Sequence, residues 1–137
     1  MIVADTSAVL ALIDADDQHH EAVRRWYDAE PDDWVLPWPV LPEIDYLLST
    51  HVGARAELAF VEDIAEERYV IEWGHPGDLV RAGELCRKHR SLRLGLVDAV
   101  VMAIAERTRA HAIATLDLRH FGAVKLLQDP LLLPRDG

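Results

Sequence analysis

The stretch that decides the fold is IVADTSAVLALI, at residues 2–13. Its first part, residues 2–5, is short and apolar, as is typical of a buried strand. Thr6 or Ser7 can then cap a helix that runs from Ala8 to Ile13. A strand that passes directly into a helix is the repeating unit of α/β folds, so this stretch predicts that class.

The rest of the chain continues the alternation. Further strands are predicted at residues 34–36, 69–72, 112–115 and 124–127. The predicted helices comprise an amphipathic one around residues 22–27, one that starts near 41–43, and others at 54–67, 76–89 and 97–104. Strands that alternate with helices predict a mostly parallel sheet covered on both faces.

Length and composition limit the possibilities further. A chain of 137 residues is expected to form a single domain, residues 1–137, around one sizeable core. No run of about 18 uncharged apolar residues exists, so no membrane span is expected. Met1 leads directly into the first strand, so no cleavable signal is expected. Cys86 is the only cysteine, which excludes an internal disulfide, and we expect a cytoplasmic protein.

The charge distribution bears on the partners. A net charge of −10 argues against a nucleic-acid ligand, but twelve of the fourteen basic residues are arginines, which suit bidentate phosphate recognition. Five basic residues fall between positions 81 and 93, namely Arg81, Arg87, Lys88, Arg90 and Arg93. The acidic excess could serve a basic protein partner. Both charge sets could equally be ordinary solvated faces.

Four carboxylates lie where solvated surface is a poor explanation. Asp5 and Asp117 follow apolar strands, and ligands of α/β sheets bind beyond the carboxyl ends of strands. Asp98 borders the apolar face of its helix, with no Lys or Arg at 94–106. Glu43 stands in a first helical turn. Taken singly, each could be a helix cap or a turn residue; together, four such acids predict a common site.

Clustered carboxylates imply particular chemistry. If the four acids converge, their charge is tolerable only with cations bound among them. Mg²⁺ or Mn²⁺ prefers oxygen ligands and can lower the pKa of a water molecule for attack on phosphorus. One ion, or two ions about 3.5–4 Å apart, would fit four carboxylates. This pattern predicts a metal-dependent enzyme acting on phosphate.

Several segments, in order along residues 2–121, resemble one known family. They are IVADTSA at residues 2–8, Glu43, VDA at 97–99 and TLDLRHF at 115–121. With these segments the chain resembles PIN-domain ribonucleases, specifically the VapC-type toxins of bacterial toxin–antitoxin pairs. The resemblance implies a three-layer α/β/α sandwich around a parallel sheet and endonucleolytic cleavage of RNA. It also implies a VapB-like antitoxin partner and a homodimer.

The resemblance also implies roles for individual residues. Asp5, Asp98 and Asp117 match the acidic site for Mg²⁺ or Mn²⁺, and Glu43 matches its second acid. Thr6 or Ser7, together with Thr115, match hydroxyl residues that orient the acids by hydrogen bonds. Our mechanistic hypothesis is that Asp5 and Asp98 bind the main ion while Glu43 and Asp117 complete the site or position water. Flanking phosphates would contact Arg119 or the basic cluster Arg87, Lys88, Arg90 and Arg93.

Other interpretations stay open at this point. Asp5 could be the nucleophile of a phosphatase of the haloacid-dehalogenase kind, although Ser7 stands where that family has a second acid. A PIN-like module that binds nucleic acid or protein without chemistry is a further alternative. Early aromatic and apolar residues could form a groove for an antitoxin helix or could belong to the core; they are Trp26, Tyr27, Trp38, Tyr46 and Leu47. Structural or surface roles are expected for all seven histidines.

Overall fold

A five-stranded parallel sheet forms the centre of the protein, as seen in a computed structural model that describes residues 1–137. Twelve strands and helices follow one another along the chain: β1 (Ile2–Ala4), α1 (Thr6–Ile13), α2 (His20–Ala29), β2 (Trp34–Pro37), α3 (Val40–His51), α4 (Ala54–Ala65), β3 (Val70–Glu72), α5 (Pro76–Lys88), α6 (Gly95–Arg107), β4 (Ala112–Ala114), α7 (Leu118–Phe121) and β5 (Leu131–Leu133). The longest helices have 13 residues, and none is long and apolar enough to cross a bilayer.

The strand order creates a crevice at one edge of the sheet. The strands lie in the order β3-β2-β1-β4-β5, and every neighbouring pair is parallel. The chain therefore builds outward from β1 to β3 and then returns to add β4 and β5 on the other side. Ligands of such sheets bind where the order reverses, beyond the carboxyl ends of the strands. Here that point lies between β1 and β4.

Helices cover both faces of the sheet in a three-layer α/β/α arrangement. One group consists of α1, which packs on α2 and α3, and of α4, which packs on α3. The other consists of α5 and α6. Residues Ala99–Glu106 of α6 are buried without interruption, because this helix lies against β1 and β2 beneath α5. The predicted fold class is confirmed.

The C-terminal part differs from the sequence prediction. Residues 124–127 were predicted as the last strand, but that strand is β5, which pairs with β4 from Leu131 to Leu133. The apolar side chains of Val124 and Leu126 are buried from a loop instead. Both segments are short and apolar, and short apolar runs do not reveal which one pairs. The single-turn helix α7 was also not predicted.

Two buried acids join α5 to α6. Arg107 donates from Nε to Oδ1 of Asp78 (2.7 Å) and from Nη2 to Oδ2 of Asp78 (3.1 Å) and Oε1 of Glu72 (2.8 Å). Arg81 likewise donates from Nε to Oε1 of Glu106 at 2.7 Å. Burial acts to raise the pKa of Asp78, but the hydrogen bonds from Arg107 and the His75 backbone outweigh it and hold that pKa below its usual range. Arg81 and Arg107 are therefore structural residues.

Replacing Arg107 with Met should lower the free energy of unfolding by about 1–3 kcal/mol near pH 7, because the buried Asp78 would lose the hydrogen bonds from its cation. Urea unfolding measures this. Since the pKa of Asp78 is lowered in the fold, the stabilisation is present above the ordinary aspartate pKa and disappears as pH falls through the folded value.

The matched control is Arg24→Met, which breaks an exposed pair with Asp28 on α2. This change should cost less than about 0.5 kcal/mol, as exposed helical ion pairs do. Equal losses in the two variants, or a loss from Arg107→Met that persists in strong acid, would contradict the assignment.

Candidate metal centre

The sheet itself brings Asp5 next to Thr115. Asp5 comes directly after β1, and its backbone N–H donates to the carbonyl of Ala114 at 2.9 Å. Thr115 comes directly after β4, and its N–H donates to the carbonyl of Leu133 at 2.9 Å. Parallel pairing thus continues to the end of the strands, so the carboxylate of Asp5 emerges at the crevice between β1 and β4.

Hydroxyl groups orient the Asp5 carboxylate through one of its oxygens. Thr115 Oγ1 donates to Oδ2 of Asp5 at 2.8 Å, and Ser7 Oγ donates to the same oxygen at 3.1 Å. The N–H of Leu116 donates to Ser7 Oγ (2.9 Å), and the N–H of Asp117 donates to Thr115 Oγ1 (3.0 Å). Oδ1 of Asp5 accepts no side-chain hydrogen bond and stays free for a ligand.

Thr6 does not take part in this arrangement. The sequence left open whether Thr6 or Ser7 contacts the acids, and the structure gives the contact to Ser7. The hydroxyl of Thr6 is buried and has no hydrogen-bond partner. Only the backbone of Thr6 acts on the site, since its N–H dipole works to lower the pKa of the Asp5 carboxyl.

Asp98, Asp117 and His120 form a tight cluster in which one ligand atom from each lies within 4.8 Å of the others. Nδ1 of His120 lies 2.6 Å from Oδ2 of Asp98 and 3.2 Å from Oδ2 of Asp117. Asp117 also caps α7, because its Oδ1 accepts from the His120 N–H at 3.2 Å. The sequence analysis expected a structural or surface role for this histidine; the structure places its ring in contact with two of the four acids. The spacing of an Asp cap and a His three residues later is the one local signal.

Asp98 interacts electrostatically with each of the other three acids. Burial raises the pKa of Asp98, and the charges of Asp117 and Glu43 add to the rise, while the hydrogen bond from His120 opposes it. Burial likewise raises the pKa of Asp5 to about 6; Asp98 adds to this, and Thr115 and Ser7 oppose it. Glu43 is exposed in the first turn of α3, and both it and Asp5 lie outside the tight cluster.

The residues present fit a divalent cation that prefers oxygen ligands. No lysine or arginine forms an ion pair with Asp5, Glu43, Asp98 or Asp117, so His120 is the only basic side chain in contact with them. The raised pKa values of Asp5 and Asp98 show that their charge is incompletely compensated. Carboxylate oxygens around uncompensated charge are what Mg²⁺ and similar ions bind.

The affinity for Mn²⁺ should fall as pH decreases through about 6, the value to which burial raises the pKa of Asp5. A proton held by Asp5 competes with the cation, so each pH unit below that value should cost about tenfold in affinity. Titrations at pH 7.5, 6.5 and 5.5 measure this. An affinity that stays constant over this range would contradict a ligand role for Asp5.

Exposed basic residues border the acids. Arg90 lies in a short 3-10 turn at Arg90–Leu92, and Arg93 follows this turn, two residues before α6, the helix that carries Asp98. Arg119 is on α7 between Asp117 and His120. These three residues, and Arg87 and Lys88 in the last turn of α5, are exposed and form no ion pair in the structure.

The early aromatic residues divide into two groups. Trp26, Tyr27 and Trp38 pack against the hydrophobic core, as the core alternative predicted. Tyr46 is 65% exposed on α3, and Leu47 beside it is partly buried. Of the five candidates, the surface residue that a partner helix can reach most freely is therefore Tyr46.

Comparison with known proteins agrees with the fold. Residues 2–126 match the PIN domain. The chain is 36% identical over 124 residues to Ribonuclease VapC26 of Mycobacterium tuberculosis. The aligned residues cover 90% of this chain and 92% of that protein. The crystal structure of Mycobacterium tuberculosis VapC20, described as a sarcin-ricin loop cleaving toxin, superposes with a TM-score of 0.81 at 24% identity, over 93% of this chain and 97% of that one.

A second solved structure, FitAcB from Neisseria gonorrhoeae, superposes with a TM-score of 0.64 at 17% identity and covers 96% of both chains. The two structural similarities concern the fold, which is the three-layer α/β/α architecture described above. The domain match and the sequence similarity together show the family. This chain belongs to the PIN-domain family, and within it the chain is similar to the VapC ribonucleases.

Proposed function

We propose that the protein is an endoribonuclease that depends on Mg²⁺ or Mn²⁺ and acts as the toxin of a VapBC-type toxin–antitoxin pair. One observation carries the proposal: Asp5 and Asp98 each have one oxygen held by hydrogen bonds and one left free, beside the point where the strand order reverses. The similarity to Ribonuclease VapC26 supports RNA as the substrate.

Each acid has a distinct proposed role. Asp5 and Asp98 would hold the cation, and Glu43 and Asp117 would complete the site. When bound, the cation lowers the pKa of a water molecule and offsets the charge that develops on the phosphate. Ser7 and Thr115 keep the Asp5 carboxylate in place by their hydrogen bonds. Glu43, the exposed member, is free to orient the attacking water through its carboxylate.

The proposed reaction is hydrolysis by water. The attacking water gives up a proton as its oxygen forms a bond to phosphorus, one bridging P–O bond breaks, and the leaving ribose oxygen takes up a proton. The RNA 2′-hydroxyl takes no part in this reaction, so the products carry no 2′,3′-cyclic phosphate. Ribonucleases that use the 2′-hydroxyl as nucleophile leave such ends, which makes the ends of the products diagnostic.

Incubation of end-labelled total RNA with the purified protein tests the proposal, with Mg²⁺, Mn²⁺ or EDTA present. We expect discrete products that require the cation and lack cyclic phosphate ends. Cleavage that continues in EDTA, or that leaves cyclic phosphates, would contradict it. Absence of cleavage with bound Mn²⁺ would favour one of the two alternatives. Covalent phosphate trapped on Asp5 indicates the phosphatase, and cation-independent RNA binding indicates the binding module.

Replacing Arg93 or Arg119 with Ala should raise the KM for RNA about 3- to 10-fold and reduce the salt dependence of binding, with unchanged Mn²⁺ affinity. Both side chains are exposed and lie within five residues of an acid in the sequence, so we expect them to contact flanking phosphates. The control is Arg109→Ala, because this exposed arginine lies beyond the opposite end of α6. Equal effects in all three variants would rule out a specific phosphate contact.

The proposed assembly includes a VapB-like antitoxin, in the cytoplasm where the RNA is found. The net charge of −10 suits a basic segment of such a partner. A homodimer is also proposed, and exposed apolar side chains near the sheet edge support it; they are Val70 on β3, Trp73, and Leu79 and Val80 on α5. Light scattering of the purified chain, alone and with antitoxin, distinguishes these assemblies.

A further inference from the structure

His120 is held in a defined place beside the acids. Phe121, the next residue, is buried in the core and anchors α7, while Asp117 caps the amino end of the same turn. The side chains of His120 and Asp98 are only 18% and 17% exposed. A hydrogen bond between partly buried groups is less weakened by water than one at the surface. The contact between His120 and Asp98 is therefore well placed to influence the site.

The contact is a hydrogen bond donated by the imidazole. Nδ1 of His120 and Oδ2 of Asp98 are 2.6 Å apart, and two lone pairs do not approach so closely without a proton between them. We assign this proton to Nδ1, because an ionised carboxylate can only accept a hydrogen bond, and a protonated Nδ1 cannot also bind a cation. The hydrogen bond to Asp98 raises the pKa of His120, and the nearby carbonyl of Leu92 acts in the same direction.

The two proposed cation ligands, Asp5 and Asp98, each have one carboxylate oxygen held by side-chain hydrogen bonds. In Asp5, Oδ2 is held by Thr115 and Ser7, and Oδ1 has no side-chain partner. In Asp98, Oδ2 is held by His120, and Oδ1 has no side-chain partner. A carboxylate whose second oxygen is fixed has lost its rotational freedom before the cation arrives.

We propose that His120 is a positioning residue, which fixes the Asp98 carboxylate through Nδ1–H so that its free oxygen binds the divalent cation. This inference rests on the proposed function and adds a residue to which the sequence analysis gave no part in it. His120 does not touch the cation or the RNA; it acts through Asp98.

The test is Mn²⁺ binding to RNA-free protein, measured by the electron paramagnetic resonance signal of free Mn²⁺. His120→Ala removes the donor and should weaken affinity about 10- to 100-fold, the usual effect of losing a partner behind a metal ligand. His120→Asn keeps an N–H at the place of Nδ1–H, and its affinity should stay within about threefold of wild type. His111→Ala is the matched control, since His111 lies near Met1 and Asp33 at the amino ends of the strands.

The outcomes separate this inference from the proposed function. If Asp98→Asn loses Mn²⁺ binding but His120→Ala does not, the positioning role fails while the cation site stands. If the wild type itself binds no Mn²⁺, the proposed function fails. A ¹⁴N coupling from imidazole in the spin echo of bound Mn²⁺ would make His120 a direct ligand and overturn the inference.

A further pair of variants keeps the test decisive if His120→Ala does not fold. The amide nitrogen of Gln lies one bond farther from the backbone than that of Asn, so His120→Gln should bind Mn²⁺ more weakly than His120→Asn. Equal affinities of the Asn and Gln variants would contradict a role that depends on the position of Nδ1–H.

Discussion

Replacing Asp98 with Asn should lower the rate of RNA cleavage by about 10²- to 10³-fold, because several kcal/mol of stabilisation by the bound cation would be lost. Asp98 is the acid whose charge acts on Asp5 and whose own pKa responds to Asp117 and Glu43. The Asn side chain can still accept the hydrogen bond from His120, so the fold should be retained. What is removed is one negative charge and one oxygen ligand.

Single-turnover cleavage of a labelled RNA at saturating Mn²⁺ measures the effect. Asp45→Asn is the matched control, because Asp45 lies on α3 two residues from Glu43 but contacts Glu57 of α4. The control variant should cleave at the wild-type rate. A residual rate within tenfold of wild type for Asp98→Asn would show that this carboxylate is not at the reaction centre.

Replacing Asp5 with Asn should raise the free energy of unfolding of the cation-free protein by about 1–3 kcal/mol at pH 7.5 and remove Mn²⁺ binding. The carboxylate is 3% exposed, and burial raises its pKa from the ordinary 3.8 to about 6. Asn can place its oxygen where Oδ2 accepts from Thr115 and Ser7. The substitution therefore removes a buried charge and keeps these hydrogen bonds.

The raised pKa of Asp5 determines how the stability of the wild type depends on pH. Between pH 3.8 and about 6 the native state holds a proton that the unfolded chain has released, so the stability of the wild type falls as pH rises. Above this window the full cost of the buried charge is present. The advantage of Asp5→Asn should thus be largest above pH 6 and disappear near pH 4.

Urea unfolding in EDTA at pH 7.5 and pH 4.0 tests this expectation. Adding Mn²⁺ at pH 7.5 should make the wild type more stable than Asp5→Asn, because only the wild type gains stability from the bound ion. Asp98→Asn is a useful comparison, since His120 already compensates part of the Asp98 charge and the gain should be smaller. A cation-free Asp5→Asn protein that is less stable than wild type at pH 7.5 would contradict the account.

This opposition between stability and function is characteristic of active sites. A buried carboxylate without a cationic partner weakens the empty fold, and it persists where a bound ligand compensates for it. Asp78 and Glu106 give the contrast within the same chain. Both are buried, but arginines pair with them and hold the pKa of each below its usual range. Their role is to join α5 to α6.

The fold class was predictable because its signals are local. The passage from the apolar IVA into a helix at residues 2–13 and the apolar stripe of α6 each lie within a few turns of chain, although α1 begins at Thr6 without the side-chain cap expected from Thr6 or Ser7. The last strand was not predictable in the same way. Residues 124–127 and 131–133 are both short and apolar, and only pairing with β4, across the tertiary fold, decides between them.

The acids of the candidate site could be proposed from their positions after strands and at the starts of helices. Their partners could not, because these depend on contacts between distant segments. Thr6 and Ser7 are neighbours in one turn, and only the approach of Thr115 shows that Ser7 is the one in contact. His120 meets an acid 22 positions away, and its local spacing from Asp117 does not predict that long-range contact.

Calorimetric titration of the RNA-free protein with Mn²⁺ at pH 7.5 is the most direct test of the central claim, that the acids beyond β1 and on α6 bind a divalent cation. The wild type is compared with the double variant Asp5→Asn/Asp98→Asn and with Asp45→Asn/Asp63→Asn, which loses the same charge elsewhere. The account predicts saturable binding in the wild type and the control and none in the Asp5/Asp98 variant. Equal binding by all three proteins would contradict it.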